Sequence, residues 1–366
     1  MKLNIAIFGL SLTSSWGNGH ATTYRALIKA LAARGHRVTF LERDRPWYRK
    51  NRDLQNWPYC RIEIYDSLKS LSQRHRTLVQ DADVVVLGSF VPDGAIVGDW
   101  ITSTARGITA FYDIDTPVTL SRLERGGAEY IDAALIPRFG LYLSFTGGPI
   151  LQLIEDLYGS PRARTLYCAV DPDTHAPLKR EVKWSLGYMG TYSVDRQAVL
   201  ERLLFAPARL LPDHKFVVVG AQYPKDINWP ANVDHFEHLP PASHSEFYCS
   251  QRFTLNATRA DMAAAGYSPS VRLFEAAACG VPVISDRWPG LEHFFTPGEN
   301  ILTADSSADV HRLISEMPDA SRRALGAAAR ARVLQSHTAE HRAIEFERYV
   351  AEANAGAAAK LGIVAA

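Results

Sequence analysis

Cysteine is scarce in this chain. Of 366 residues only Cys60, Cys168, Cys249 and Cys279 are cysteines, and none forms a Cys-x-x-Cys pair or stands at metal spacing from a histidine. A disulfide framework and a cysteine-based zinc site are thereby excluded, and a reducing, cytoplasmic compartment fits best. An excess of one charge is also missing. Forty Lys and Arg against 39 Asp and Glu leave a net +1, so no general field favours nucleic acid or an acidic membrane. No apolar run approaches the ~20 residues of a membrane span. The first apolar stretch, Leu3 to Phe8, stops at Gly9 and is too short for a signal peptide. Repeats of solenoid length are absent as well.

What remains is the composition of a soluble globular protein, 47% hydrophobic and 22% charged, at a length that predicts two domains. Apolar strands alternate with helical stretches. Leu3–Phe8, Val38–Leu41, Val84–Leu87, Ile108–Tyr112, Ala133–Ile136, Leu141–Ser144 and Thr165–Ala169 read as strands. Continuous apolar strands separated by helices mean a parallel sheet covered on both faces. Asp171–Leu178, with two prolines, reads as a linker. The alternation then restarts with strands at Leu186–Met189, Phe216–Val219, Phe253–Leu255, Val281–Ser285 and Ile301–Leu302. Ser243–Glu246 has the spelling of a capping box. We therefore expect an α/β protein of two doubly wound domains. The divisions are 1–170, a linker 171–178, a second domain 179–336 and a C-terminal helix 337–366 returning to the first. Ligands of such sheets bind at the carboxyl ends of the strands.

Ser268–Ser285 is the most informative segment. It reads as a loop, a short helix, a glycine stop and a buried strand. Arg272 lies in the first helical turn, where a cation opposes the helix dipole unless an anion is near. The free N–H groups of that turn make it a natural phosphate site, with Ser270 and Leu273 beside the arginine. Glu275 follows one turn later on the same side, where a carboxylate can accept both hydroxyls of a ribose. A plain surface ion pair at i,i+3 is the alternative. Gly190-Thr191, after a strand, offers a second backbone approach for phosphate, with Arg196 near the next helix start. Asn256, Thr258 and Arg259 follow a third strand end, and Arg259 suits bidentate contact with a diphosphate. In the first half, Gly9–His20 is a long polar loop that suits a substrate surface better than a dinucleotide clamp. His20 at its end is a candidate general base, or an exposed cap. Asp113 and Asp115 follow another strand. Asp113 is a candidate base, while Asp115-Thr-Pro117 has the composition of a helix start. The basic, aromatic stretch Arg43–Arg52 suits a solvated loop or at most peripheral membrane contact.

Taken together, Gly17-Asn-Gly-His20, Ala30–Val38 and the run Arg272-Leu-Phe-Glu-Ala-Ala-Ala-Cys-Gly-Val-Pro-Val-Ile284 resemble the GT-B glycosyltransferases over nearly the whole chain. The last of these is most similar to the CgeB-like members, named for a spore-maturation protein. The resemblance implies two Rossmann-like domains. It also implies a nucleotide-diphosphate sugar as co-substrate, most often a UDP-sugar, and no other cofactor. By the same resemblance Glu275 would hold the ribose, while Arg272, Arg196 and Gly190–Thr191 would face the diphosphate. His20 matches the catalytic base of inverting members. The acceptor would be a glycan, a lipid-linked or a small-molecule hydroxyl. Many retaining relatives carry a second Glu eight residues before the ribose-binding one, and here that position is Tyr267. Arginines and helix N-termini would stabilise the leaving diphosphate, so a metal is not required. Asp113-Ile-Asp115 spells the metal-binding Asp-x-Asp but lies in the acceptor half. A sugar-nucleotide epimerase and a non-catalytic binding module remain as alternatives.

Overall fold

The structure, a computed structural model, describes residues 2–360. They form two compact units. The first takes the chain up to Cys168 together with the stretch from Ala339 onward, and the second is Ala169–Thr338.

The first unit is built on seven parallel strands. They are β1 (Asn4–Gly9), β2 (Arg37–Arg43), β3 (Arg61–Tyr65), β4 (Val84–Gly88), β5 (Ile108–Asp113), β6 (Leu141–Ser144) and β7 (Ala163–Thr165). Their order is β3-β2-β1-β4-β5-β6-β7. Every residue of β4 is buried, as a Val-Val-Val-Leu-Gly run requires when helices cover both faces. Three details depart from the sequence expectation, the first being that the strand expected at Thr165–Ala169 lies at Ala163–Thr165. Ala133–Ile136 is not a strand; it leads into a 3-10 turn at Ile136–Arg138. Pro137 has no N–H for a sheet ladder, so Leu135 and Ile136 enter the core from a turn instead. Conversely, β3 is an edge strand whose alternating Arg-Ile-Glu-Ile-Tyr pattern carries little apolar signal.

The second unit repeats the scheme with six parallel strands: β8 (Trp184–Met189), β9 (Phe216–Val219), β10 (Val233–Phe236), β11 (Gln251–Asn256), β12 (Val283–Ser285) and β13 (Leu302–Thr303). Their order is β10-β9-β8-β11-β12-β13. In each sheet the winding reverses beside the first strand, between β1 and β4 and between β8 and β11. The loops diverge at such a point and leave room for a ligand.

The segment 171–178 is not a free linker. It belongs to the second unit, where Ser245 Oγ donates to the Thr174 carbonyl at 2.7 Å and the Leu178 N–H meets Cys249 Sγ at 3.2 Å. The capping box at Ser243 does not form. Ser243 already has helical backbone angles inside a 3-10 turn, so its hydroxyl does not cap the helix His244–Cys249. The helix Ala339–Lys360 packs on the helix His20–Ala33 of the first unit. Glu347 fixes that contact by accepting from Arg34 (2.7 Å, twice) and meeting His36 Nε2 at 2.7 Å. Residues 361–366, the end of the expected C-terminal helix, lie outside the described residues.

Candidate functional site

At the carboxyl edge of the first sheet, three loops converge. The loop after β1, Gly9–His20, is tied down by buried hydrogen bonds. Glu42, buried at the end of β2, accepts from the N–H groups of Leu12 (2.7 Å) and Thr13 (3.0 Å) and from the hydroxyls of Ser11 and Thr13. Asp53 ties down Ser15 and Arg25. Asn18 closes the loop onto the Ser11 and Ser14 carbonyls and receives the His20 N–H. The loop thus delivers His20 to the first turn of its helix in a fixed position. The imidazole Nε2 lies 4.0 Å from Asp115 Oδ2, and the ring meets Phe90 edge-on at 5.5 Å. Phe90 follows β4 and holds a left-handed backbone, φ 62°, a strained conformation of the kind that gathers at working sites. Nδ1 of His20 is buried without a hydrogen-bond partner.

Asp113 does not join this group, and its expected role as a base is corrected. The side chain is fully buried, with Tyr142 donating to one oxygen and Thr119 (2.7 Å) to the other. Burial, followed by those two bonds acting the other way, leaves its carboxyl up at about 6. Such a group shapes the sheet end but has no access to substrate. Asp115 occupies the helix-start position expected of it, without a side-chain cap bond. The basic stretch after β2 is largely paired within the protein: Arg43 with Asp93, and Arg49 and Arg52 with Asp44. Among the described residues no helix is long and apolar enough to cross a membrane.

The second unit assembles a denser group at the carboxyl edge of its sheet. Arg272, 6% exposed, enters from the start of the helix Val271–Ala278. Its Nε donates to the Met189 carbonyl at 2.5 Å, and its Nη1 to Asn256 Oδ1 at 3.0 Å. The guanidinium lies 4.4 Å above the Tyr188 ring. Ser270 Oγ donates to the same Asn256 oxygen at 2.7 Å. Gly190 is what lets the arginine lie there, since a Cβ at that position would stand 2.8 Å from Arg272 Nη2 and 2.4 Å from Tyr188 Oη. Arg196 Nη2 donates to the Thr191 carbonyl at 2.7 Å, and its Nε is buried without a partner. Arg272 forms no ion pair among the described residues. Its direct contacts are all to neutral oxygens and a ring, and the opposite charge it acts on is Glu275 one turn behind.

The structure thus gathers Gly190, Thr191, Arg196, Asn256, Ser270 and Arg272 in one place. Two expected members lie beside the group but are engaged within the protein. Arg259 is engaged by Asp195, Nε to Oδ2 at 3.5 Å. Leu273 is a core residue whose N–H is already donated to the Ser270 carbonyl at 3.1 Å, so it offers no donor to a ligand. Glu275 sits one turn behind Arg272, 3% exposed. Tyr248 donates to its Oε2 at 2.8 Å, with His175 Nε2 3.6 Å from Oε1 and His244 Nδ1 3.9 Å from Oε2. Burial alone would raise its carboxyl; His175, His244, the Tyr248 hydroxyl and Arg272 outweigh that and hold it below the usual carboxylate range. Sequence reasoning missed both histidines. One was read as linker and the other as part of a cap, and a lone histidine near a proline carries no spacing to flag it. Asp286, also unforeseen, accepts from the Thr258 N–H and hydroxyl, and burial holds it up at about 6. Tyr267 adopts φ 47° and packs its ring over Gly290.

Comparisons with known proteins agree with this layout. Residues 196–348 match the model of a family described as glycosyl transferase-like. No curated protein matches the sequence. Among solved structures, sucrose-phosphate synthase from Thermosynechococcus elongatus superposes with a TM-score of 0.69 at 15% identity, covering 97% of this chain and 100% of that one. HepE from Anabaena, in complex with UDP and glucose, gives 0.71 at 13% identity, covering 96% and 100%. The trehalose-6-phosphate protein from E. coli, bound with UDP-2-fluoro glucose, gives 0.67 at 10% identity, covering 95% and 98%. The chain carries the GT-B fold, and its residues 196–348 are similar to the glycosyl transferase-like family.

Proposed function

We propose that the protein transfers a sugar from a nucleoside-diphosphate sugar, UDP-linked by preference, to an acceptor hydroxyl. The observation that carries this reading is Arg272, a buried guanidinium at a helix N-terminus that makes no direct ion pair among the described residues. Burying an unpaired cation costs several kcal/mol, which a bound diphosphate would offset. The helix N-terminus, the Gly190–Thr191 turn and Arg196 add donors around the same point. As the glycosidic bond breaks, negative charge grows on the leaving diphosphate, and fixed donors stabilise it without a metal ion. Glu275 remains the ribose candidate, although a ribose contact would have to replace the Tyr248 bond. In the first unit His20 would take the acceptor's proton, with Asp115 orienting the ring once their 4.0 Å gap closes. Within the glycosyltransferases, the motif around Glu275 favours the CgeB-like group, and a cytoplasmic setting suits both the donor and the thiols.

Incubation of the purified protein with a panel of nucleotide sugars and simple acceptors tests the reading. It predicts release of nucleoside diphosphate from a UDP-sugar in the presence of chelator. Absence of release from every donor, despite tight nucleotide binding, would favour a non-catalytic binding module.

A further inference from the structure

Two of the four cysteines, 30 residues apart in the chain, meet inside the second unit. Cys249 closes the helix His244–Cys249, and Cys279 caps the helix Val271–Ala278 that presents Arg272. Cys249 Sγ lies 3.8 Å from the Cys279 carbonyl, and the two thiols interact side chain to side chain. Their surroundings differ. Cys249 is partly exposed, receives the Leu178 N–H at 3.2 Å and has the Arg180 guanidinium nearby. Cys279 is buried, its sulfur 3.6 Å from Ser245 Oγ. The Cys279 contact first, then the Leu178 N–H and Arg180 against the cost of burial, hold the Cys249 thiol below its usual value. The Cys249 contact and burial push the Cys279 thiol up. An accessible sulfur that readily becomes a thiolate, beside a buried second thiol, has the features of a redox-sensing pair. The other cysteines lack them: burial pushes Cys60 up to about 12, and Cys168 is fully buried.

We propose that Cys249 and Cys279 are a reversible thiol–disulfide pair, with Cys249 the attacking thiol, Cys279 the resolving thiol and a low-molecular-weight disulfide of the glutathione type as oxidant. The Cys249 thiolate attacks one sulfur of the small disulfide, forms a mixed disulfide and expels the other half as a thiolate. Cys279 then gives up its proton and attacks Cys249 Sγ, which expels the second half. The two protons pass through solvent to the two released thiolates. Two protein thiols thus become one disulfide, and the small disulfide is reduced to two thiols. An excess of small thiol runs the exchange backwards, so the pair stays open in a reducing compartment and closes when that compartment turns oxidising. The bond ties the last residue of one helix to the cap of the other, and both ends adjoin Glu275. Tyr248, next to Cys249, donates to the Glu275 carboxylate at 2.8 Å, and the Cys279 N–H donates to the Glu275 carbonyl at 3.1 Å. Closing the bond therefore shifts the donor side of the site, and the oxidised form should hold a nucleoside diphosphate less tightly. That consequence rests on the functional reading above; the disulfide itself does not.

Incubation of the full-length protein with graded ratios of oxidised to reduced glutathione tests this without nucleotide or activity. Free thiols are then blocked with iodoacetamide and the digest is read by mass spectrometry. The wild type should lose two of its four free thiols and yield a peptide pair joined through Cys249 and Cys279, and dithiothreitol should restore both thiols. Cys279→Ser should stop at the mixed disulfide on Cys249. Cys249→Ser should show neither a bridge nor an adduct on Cys279. If either variant fails to fold, the peptide masses of the wild type decide alone. Four free thiols at every ratio overturn the proposal, as does a wild type that carries a glutathione adduct but forms no bridge between Cys249 and Cys279. UDP titrated into the reduced and the oxidised wild type keeps the two readings apart. Affinity should fall at least about tenfold on oxidation and return on reduction. Equal affinity in the two forms refutes the effect on the donor site. Absence of binding to both forms contradicts the functional assignment, while the peptide masses still judge the thiol pair.

Discussion

Removing a buried cation that makes no direct ion pair should cost the ligand-free fold little and damage the ligand-bound one. Arg272 is such a cation, resting on the Tyr188 ring and neutral oxygens. Arg272→Met should leave the melting temperature of the free protein close to that of the wild type, because an apolar side chain of similar length needs no counter-charge. The same variant should weaken nucleoside diphosphate binding by about 30- to 100-fold, the loss of one charge-assisted contact of 2–3 kcal/mol. Unfolding by denaturant and a binding titration check the two halves. Asp113 makes a different residue-scale prediction. Burial favours its uncharged form, so its contribution to stability is present at low pH and is lost as pH rises from about 4 towards about 6. Asp113→Asn should flatten that part of the stability-against-pH curve. At this scale the arginine was legible, because a cation in a first helical turn contradicts the dipole. The depth of Asp113 was not, because strand-end aspartates look alike in sequence whether they point out or in.

Among the elements, the turn after β8 and the long helix Ala339–Lys360 are the most exposed to test. Any side chain at residue 190 would collide with Tyr188 and Arg272. Gly190→Ala should therefore push the arginine aside and weaken nucleotide binding by about tenfold, with little change in overall stability. The C-terminal helix is held by Glu347, whose carboxyl is lowered to about 2, first by the Arg34 bond and, against the cost of burial, by His36. A depressed carboxyl stabilises above its ordinary value of 4.5, and that contribution is lost as pH falls towards about 2. Because the pair is partly exposed, Glu347→Gln should cost about 1 kcal/mol near neutrality and nothing near pH 2, measured by urea titration. Central strands such as β1, β4, β9 and β11 were legible as apolar runs. The edge strands β3 and β10 were not, because nearly all their residues are at least partly exposed and their pattern dissolves into the surrounding polarity.

For the whole molecule, the doubly wound layout followed from the alternation of strands and helices, and the fold comparison agrees with it. The division of labour is the part that only function can check. If His20 serves the acceptor and Arg272 the donor, the two should fail differently. His20→Ala should lower kcat by about 10²- to 10⁴-fold and leave nucleotide affinity as it is. The histidine pair around Glu275 lay beyond sequence reading for a physical reason. His175 and His244 are far apart in the chain, and only the tertiary packing of segment 171–178 on the helix after β10 brings them together.

The most direct test of the central claim is calorimetric titration of UDP into the wild type and Arg272→Met in a chelator-containing buffer. The account predicts saturable binding to the wild type and a loss of at least about tenfold in the variant. Equal affinity in the two proteins, or no binding to either, would contradict it.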